Sequence, residues 1–148
     1  MNRLDGKTAL ISGASRGIGA AAANLMISVG ANVIIGDVLK SKGEESAKTL
    51  GPNAKFIHLD VTDENDWSNA VNLAVDQFGG LDILVNNAGL FLGRDFADIS
   101  LDDWNRLANV NMTGVWLGTK VATCLLYTSP SPRDQRGSRL AGCGWKKK

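Results

Sequence analysis

Residues 12–19 read Ser12-Gly13-Ala14-Ser15-Arg16-Gly17-Ile18-Gly19 and follow directly on the apolar run Thr8-Ala9-Leu10-Ile11. The order places a glycine turn between a buried strand and a helix. Such a turn leaves backbone N–H groups pointing outward at the positive end of the helix dipole, a site suited to a pyrophosphate. Gly13 lets the chain leave the strand in a tight turn, Gly17 lets backbone approach the phosphates, and Gly19 lets the helix sit close to the sheet. The spacing, Gly-x-x-x-Gly-x-Gly, differs from the Gly-x-Gly-x-x-Gly of the best-known dinucleotide fingerprint.

Further polar residues fall where such a ligand would need them. Asp37 ends an apolar run 18 residues after Gly19, close to the spacing of an acid that holds an adenosine ribose through its hydroxyls and repels a 2′-phosphate. Arg16 pulls the other way, since a guanidinium beside the turn could bind that phosphate. Val38 and Leu39 follow Asp37 with no basic residue between, which favours NAD over NADP. Asp60-Val61-Thr62 ends another apolar run, with the carboxylate placed to accept from the adenine amino group and Val61 to pack near the ring. Asn86-Asn87-Ala88-Gly89 suits a strand terminus where side-chain amides tie neighbouring loops together and backbone approaches a ligand. The candidate cofactor-binding set is Gly13, Ser15, Arg16, Gly17, Ile18 and Gly19 in the turn, then Asp37, Val38, Asp60, Val61, Asn87, Ala88 and Gly89.

The elements that must position these residues alternate. Thr8–Ser12, Asn32–Asp37, Lys55–Asp60 and Leu81–Asn86 read as strands, the first two nearly all apolar. Between them lie predicted helices over Ile18–Val29, with Ala21, Leu25 and Val29 on one face, over Ser41–Leu50, and over Glu64–Phe78 behind an Asp63 cap. The apolar positions of the last are Trp67, Val71, Leu73, Ala74 and Phe78. Ser100 caps a longer helix with Asp102 and Asp103 in its first turn and Trp104, Leu107, Val110 and Val115 inside. This order predicts an α/β class, a doubly wound (Rossmann) parallel sheet with its ligand site at the carboxyl ends of the strands.

The chain has 148 residues, 44% of them hydrophobic and 21% charged, a globular rather than a disordered composition. No apolar run reaches the length of a membrane span, and Met1–Lys7 has no signal-like apolar stretch; a cytoplasmic protein without a membrane partner is expected. One histidine and two cysteines suggest no metal cluster. The charge is lopsided: residues 124–148 carry six basic side chains against Asp134 alone, while residues 1–123 are net acidic.

Together Ser12–Gly19, Asp37, Asp60-Val61-Thr62, Asn86–Gly89 and Asn109-Val110-Asn111-Met112-Thr113-Gly114 resemble the short-chain dehydrogenase/reductases over residues 4–123. The details at Leu4–Thr8, Asp37–Leu39 and His58–Thr62 are more similar to the bacterial NAD-dependent hydroxysteroid dehydrogenases than to the NADPH-dependent 3-oxoacyl carrier-protein reductases, which stay as an alternative. The resemblance implies NAD as cofactor, an alcohol or ketone as small-molecule substrate, no nucleic acid partner, a homotetrameric parent, and Asn111 as a catalytic asparagine that holds a water in a proton relay. It also implies a serine and a Tyr-x-x-x-Lys pair beyond a fifth strand. Here the single tyrosine is Tyr127, with Ser131 four residues on, so the tyrosine role is not carried over. The chain is therefore expected to be a sheet truncated after about four strands, inactive as it stands, with a non-catalytic NAD-binding module as a further alternative. Residues 124–148 are expected to form a separate, disordered tail: 124–134 resemble the translation of a transposase adapter used in sequencing libraries, and Lys146–Lys148 a run of adenines.

Overall fold

The computed structural model describes residues 3–128. Its elements are β1 (Thr8–Ser12), α1 (Gly17–Ser28), β2 (Asn32–Asp37), α2 (Lys40–Leu50), β3 (Ala54–His58), α3 (Glu64–Phe78), β4 (Ile83–Val85), α4 (Leu101–Ala108) and α5 (Gly114–Thr128). A short 3₁₀ turn at Phe96–Asp98 precedes α4, and a π turn at Asn109–Thr113 joins α4 to α5. The strands form one parallel sheet in the order β3-β2-β1-β4, with Ile11 of β1 aligned between Ile35 and Val85.

Strand alternation sorts the core into two layers. Ala9, Ile11, Val33 and Ile35 point to the α1/α2 side, where they meet Ala14, Ala23, Ala31 and Ala54. Leu10 and Ile34 point to the other side and pack under α3 and α5 with Leu59, Val61, Trp67, Ala70, Val71, Ala74 and Leu117. Trp67 is fully buried, and its indole N–H donates to the Val61 carbonyl at 2.9 Å. The expected doubly wound parallel sheet is the fold observed.

Three local readings change. In α1 the packed residues are Gly19 and Ala23, while Ala21 and Leu25 are exposed. A Cβ at Gly19 would strike the Gly13 carbonyl and lie 2.6 Å from the Asn87 amide nitrogen, so α1 sits too close to the turn for anything but small residues on its inner face. The helix expected after Ser100 is broken by the π turn, whose extra residue is recorded in the Gly114 N–H donating to the Asn109 carbonyl. That insertion rotates the face that follows, and Val115, expected inside, is exposed; Trp104, also expected inside, is exposed on α4 ahead of the turn. β3 ends at His58 and β4 spans only Ile83–Val85, leaving Asp60 and Asn86 in the loops just beyond. The expected boundary at 123 falls within α5, and residues 129–148 lie outside the described ones.

Candidate cofactor site

The ends of all four strands open onto one cleft of about 790 Å³. The sheet order sets their sequence across it: the Asp60 loop after β3, Asp37 at the end of β2, the glycine turn after β1, and the Asn87 loop after β4.

The turn is built by backbone conformation. Gly13 has φ +67° and Gly17 φ +59°, in the left-handed region that a side chain disfavours. At Gly17 the space a Cβ would enter is open. Arg16 is the N-cap of α1 but makes no side-chain cap, and no acidic residue stands in the first turn. In α3 and α4, by contrast, Asp63 and Ser100 take that place. The first N–H groups of α1 are thus left for an external acceptor, beside a bare backbone. That fits a pyrophosphate.

Asp37 is 7% exposed and held at both oxygens. The Ser15 N–H donates to Oδ2 and the Leu39 N–H to Oδ1, each at 3.0 Å. The carboxylate therefore ties the glycine turn to the end of β2 and keeps its remaining lone pairs toward the cleft. Ser15 itself contributes backbone here; its hydroxyl oxygen is buried without a hydrogen-bond partner among the described residues, facing Gly43 of α2.

Ser12 joins the turn to the loop after β4. Its buried hydroxyl accepts from the N–H groups of Asn87 and Ala88, both at 3.1 Å. The Asn87 amide returns two bonds of 3.0 Å to the carbonyls of Ser12 and Gly13. The adjacent asparagines therefore do the tying expected of them, with Asn86 reaching Thr119 of α5 at 3.3 Å.

At the other end, Asp60 Oδ1 accepts from the Thr62 N–H at 2.9 Å and its hydroxyl at 2.7 Å. These two bonds, in that order, hold the carboxyl below its usual pKa against a desolvation that raises it, and nearby His58 adds a smaller pull downward. The Asp60 N–H is anchored to Asp66 at 2.9 Å, an oxygen shared with His58 Nδ1 at 3.1 Å.

Of the sequence-derived set, Gly13, Arg16, Gly17, Asp37, Val38, Asp60, Val61, Asn87, Ala88 and Gly89 line the cleft. Gly19 lies behind the turn, Ile18 projects from the first turn of α1 with 83% exposure, and Ser15 acts through Asp37. Asn111 lies off the lining: its Oδ1 accepts from the Leu90 N–H at 2.7 Å and its Nδ2 donates to the Leu90 carbonyl at 2.8 Å. Its side chain thus fixes the loop that leaves Gly89. Sequence reasoning missed Arg106, Asn109 and Val110, which line the cleft from α4 and the π turn. Their i, i+3, i+4 spacing was the available signal.

A parallel sheet of four strands with helices on both faces and an open, glycine-lined helix N-terminus at its carboxyl edge is a Rossmann-like α/β fold. A family model of short chain dehydrogenases matches residues 7–137, and the chain belongs to that family. It is 46% identical over 136 residues to the 3-alpha-(or 20-beta)-hydroxysteroid dehydrogenase of Mycobacterium tuberculosis, covering 92% of this chain and 50% of that protein. It is 43% identical to the trans-4-hydroxycyclohexanecarboxylate dehydrogenase of Sinomonas cyclohexanicum, covering 82% and 50%. Among solved structures, a short-chain dehydrogenase/reductase (glucose/ribitol dehydrogenase) of Brucella melitensis superposes with a TM-score of 0.80 at 33% identity, covering 82% of this chain and 52% of that one. The chain thus spans about half the length of the curated relatives it matches. Proteins of this family are oxidoreductases that act on alcohol or ketone groups and bind NAD(P). Among the described residues no helix is long and apolar enough to cross a membrane.

Proposed function

We propose that residues 1–123 form the NAD-holding unit of an oxidoreductase that interconverts a secondary alcohol and a ketone. The observation that carries this is Asp37, buried and held at both oxygens at the foot of the glycine turn. A carboxylate so fixed keeps acceptor sites for the two ribose hydroxyls and opposes a 2′-phosphate by charge. Gly13, Gly17 and the open end of α1 take the pyrophosphate, while Asp60 Oδ2, which accepts no hydrogen bond among the described residues, and the Val61 side chain take the adenine. When bound, the nicotinamide supplies the hydride chemistry. Asn87, through Ser12 and Gly13, and Asn111, through Leu90, fix the two loops that orient it. As a proton-relay residue, Asn111 would act with partners that this sequence does not display, since Tyr127 lacks a lysine four residues on; the 148-residue chain then binds cofactor without turnover. The names of the relatives, a hydroxysteroid and a hydroxycyclohexane dehydrogenase, support a ring-bearing secondary alcohol as the substrate class.

Arg16 on the cleft lining favours a second reading, in which NADP is the cofactor. Fluorescence titration of the purified chain with NADH and NADPH separates the two. The NAD reading expects NADH to bind at least about tenfold more tightly, and Asp37→Ala to narrow or invert that ratio. Tighter NADPH binding by the unaltered chain would overturn it, and NADH oxidation with a ketone would overturn the expected lack of turnover.

A further inference from the structure

One cation on the cleft has no role in the reading above. Arg106 lines it from α4, is exposed, and makes no hydrogen bond or ion pair among the described residues. The carboxylate one turn before it, Asp103, is already engaged: its Oδ2 accepts from the Ser100 hydroxyl and from Arg94 Nη1, each at 2.9 Å. Arg106 is therefore a charged, planar group whose donors are left for something in the cleft.

The helix geometry says which end of the cleft it overhangs. Arg106 and Val110 are four residues apart and share a face of the helix, while Gly114 follows beyond the π turn. Gly114 abuts the loop after β3: a Cβ there would lie 2.8 Å from Val61 Cγ2. Val110 lines the cleft and packs against the core cluster that holds Leu59 and Val61, and Arg106, also on the lining, stands one turn before it on the helix. The face thus rises over the β3 end, away from the pyrophosphate turn that follows β1. The lining there is aliphatic, with Val38, Leu39, Leu59, Val61 and Val110 and no aromatic ring. A base lying on Val61 would meet a flat, polarising surface in the Arg106 guanidinium, since the other arginine of the lining, Arg16, stands at the N-cap of α1 in the glycine turn.

We propose that Arg106 is a cofactor-binding residue that closes over the adenine ring of the dinucleotide, stacking its guanidinium on the base. The proposal rests on the dinucleotide reading and deepens it. Its test is calorimetric titration of the 148-residue chain with ADP-ribose, which carries the adenine end and needs no turnover. Arg106→Met is expected to weaken ADP-ribose binding about three- to tenfold. Arg106→Lys, which keeps the charge and loses the plane, is expected to recover only part of that, and the loss should persist at high salt. Unchanged affinity in Arg106→Met would overturn the proposal. So would full recovery by lysine together with a loss that disappears at high salt, the behaviour of a phosphate contact. A wild-type chain that fails to bind ADP-ribose at all would overturn the dinucleotide reading itself and this inference with it, whereas binding that is indifferent to Arg106 overturns this inference alone.

Discussion

The strand-end wall of the cleft and the helical wall facing it are held in place by different means. On the strand side, Gly13, Asp37 and Asn87 are fixed by backbone conformation and by bonds between adjacent parallel strands: Gly13 donates to the Gly36 carbonyl at 2.7 Å, and Ser12 receives two N–H groups from across the sheet. On the helical side, Arg106, Asn109 and Val110 depend on the rotational phase of α4, which changes at the π turn. The first wall is rigid because any movement breaks main-chain bonds. The second is held by side chains: Asn111 grips Leu90 from both sides, and Val110 and Leu117 pack against the core. Substitution in the two walls should therefore fail in different ways: collapse of the site in one, loosening in the other.

The largest effect is expected at Gly13. A side chain there needs φ +67° and would place a Cβ 2.8 Å from the Ala88 Cα, backbone that Ser12 and Asn87 hold in place. Gly13→Val combines left-handed strain with overpacking and should cost about 3–5 kcal/mol, read as a lowered denaturation midpoint together with loss of NADH binding. A variant that keeps its stability but loses NADH would show instead that the turn is not braced by the loop after β4.

Asn111→Ala tests the weaker wall. It deprives the Leu90 N–H and carbonyl of their partners in a half-buried loop, a cost of about 1–3 kcal/mol. Hydrogen exchange should quicken through residues 90–100 and into α4, with β1 and β2 protected as before. Uniform quickening across the sheet would mean that the two walls are one cooperative unit.

The same contrast explains what the sequence made legible. The glycine turn, Asp37 and the Asp63 and Ser100 caps are local rules, in which a residue type answers a backbone need a few positions away, and each stands where it was expected. The apolar strands were equally plain, because Ala9–Ile11 and Val33–Ile35 are buried on both faces and admit little else. What escaped depends on tertiary approach. Ala21 and Leu25 were placed inward by periodicity, but the closeness of α1 to the turn put Ala23 there instead. The π turn has no composition of its own, so Val115 was turned inward in error; Trp104 lies ahead of it on α4, where periodicity did not record which side meets the core, and Arg106 and Asn109 went unread as cleft residues.

The smallest effect is expected from acid, again at an end of the strand-side wall. Asp60 has its pKa lowered below the ordinary 3.8 by the Thr62 N–H and then the Thr62 hydroxyl. A carboxylate lowered in the folded state contributes stability that is complete above its unfolded pKa and is lost as pH falls through the folded value. Thr62→Val removes the hydroxyl bond and keeps the N–H, so it should raise the Asp60 pKa part of the way back. Discounted for solvent exposure, the loss of stability near neutral pH should stay below about 0.5 kcal/mol, and the two denaturation curves should converge as the pH drops below the carboxylate range. A difference that stayed constant down to strong acid would assign the Thr62 hydroxyl a packing role instead, with no share in holding Asp60 ionised at the adenine end of the cleft.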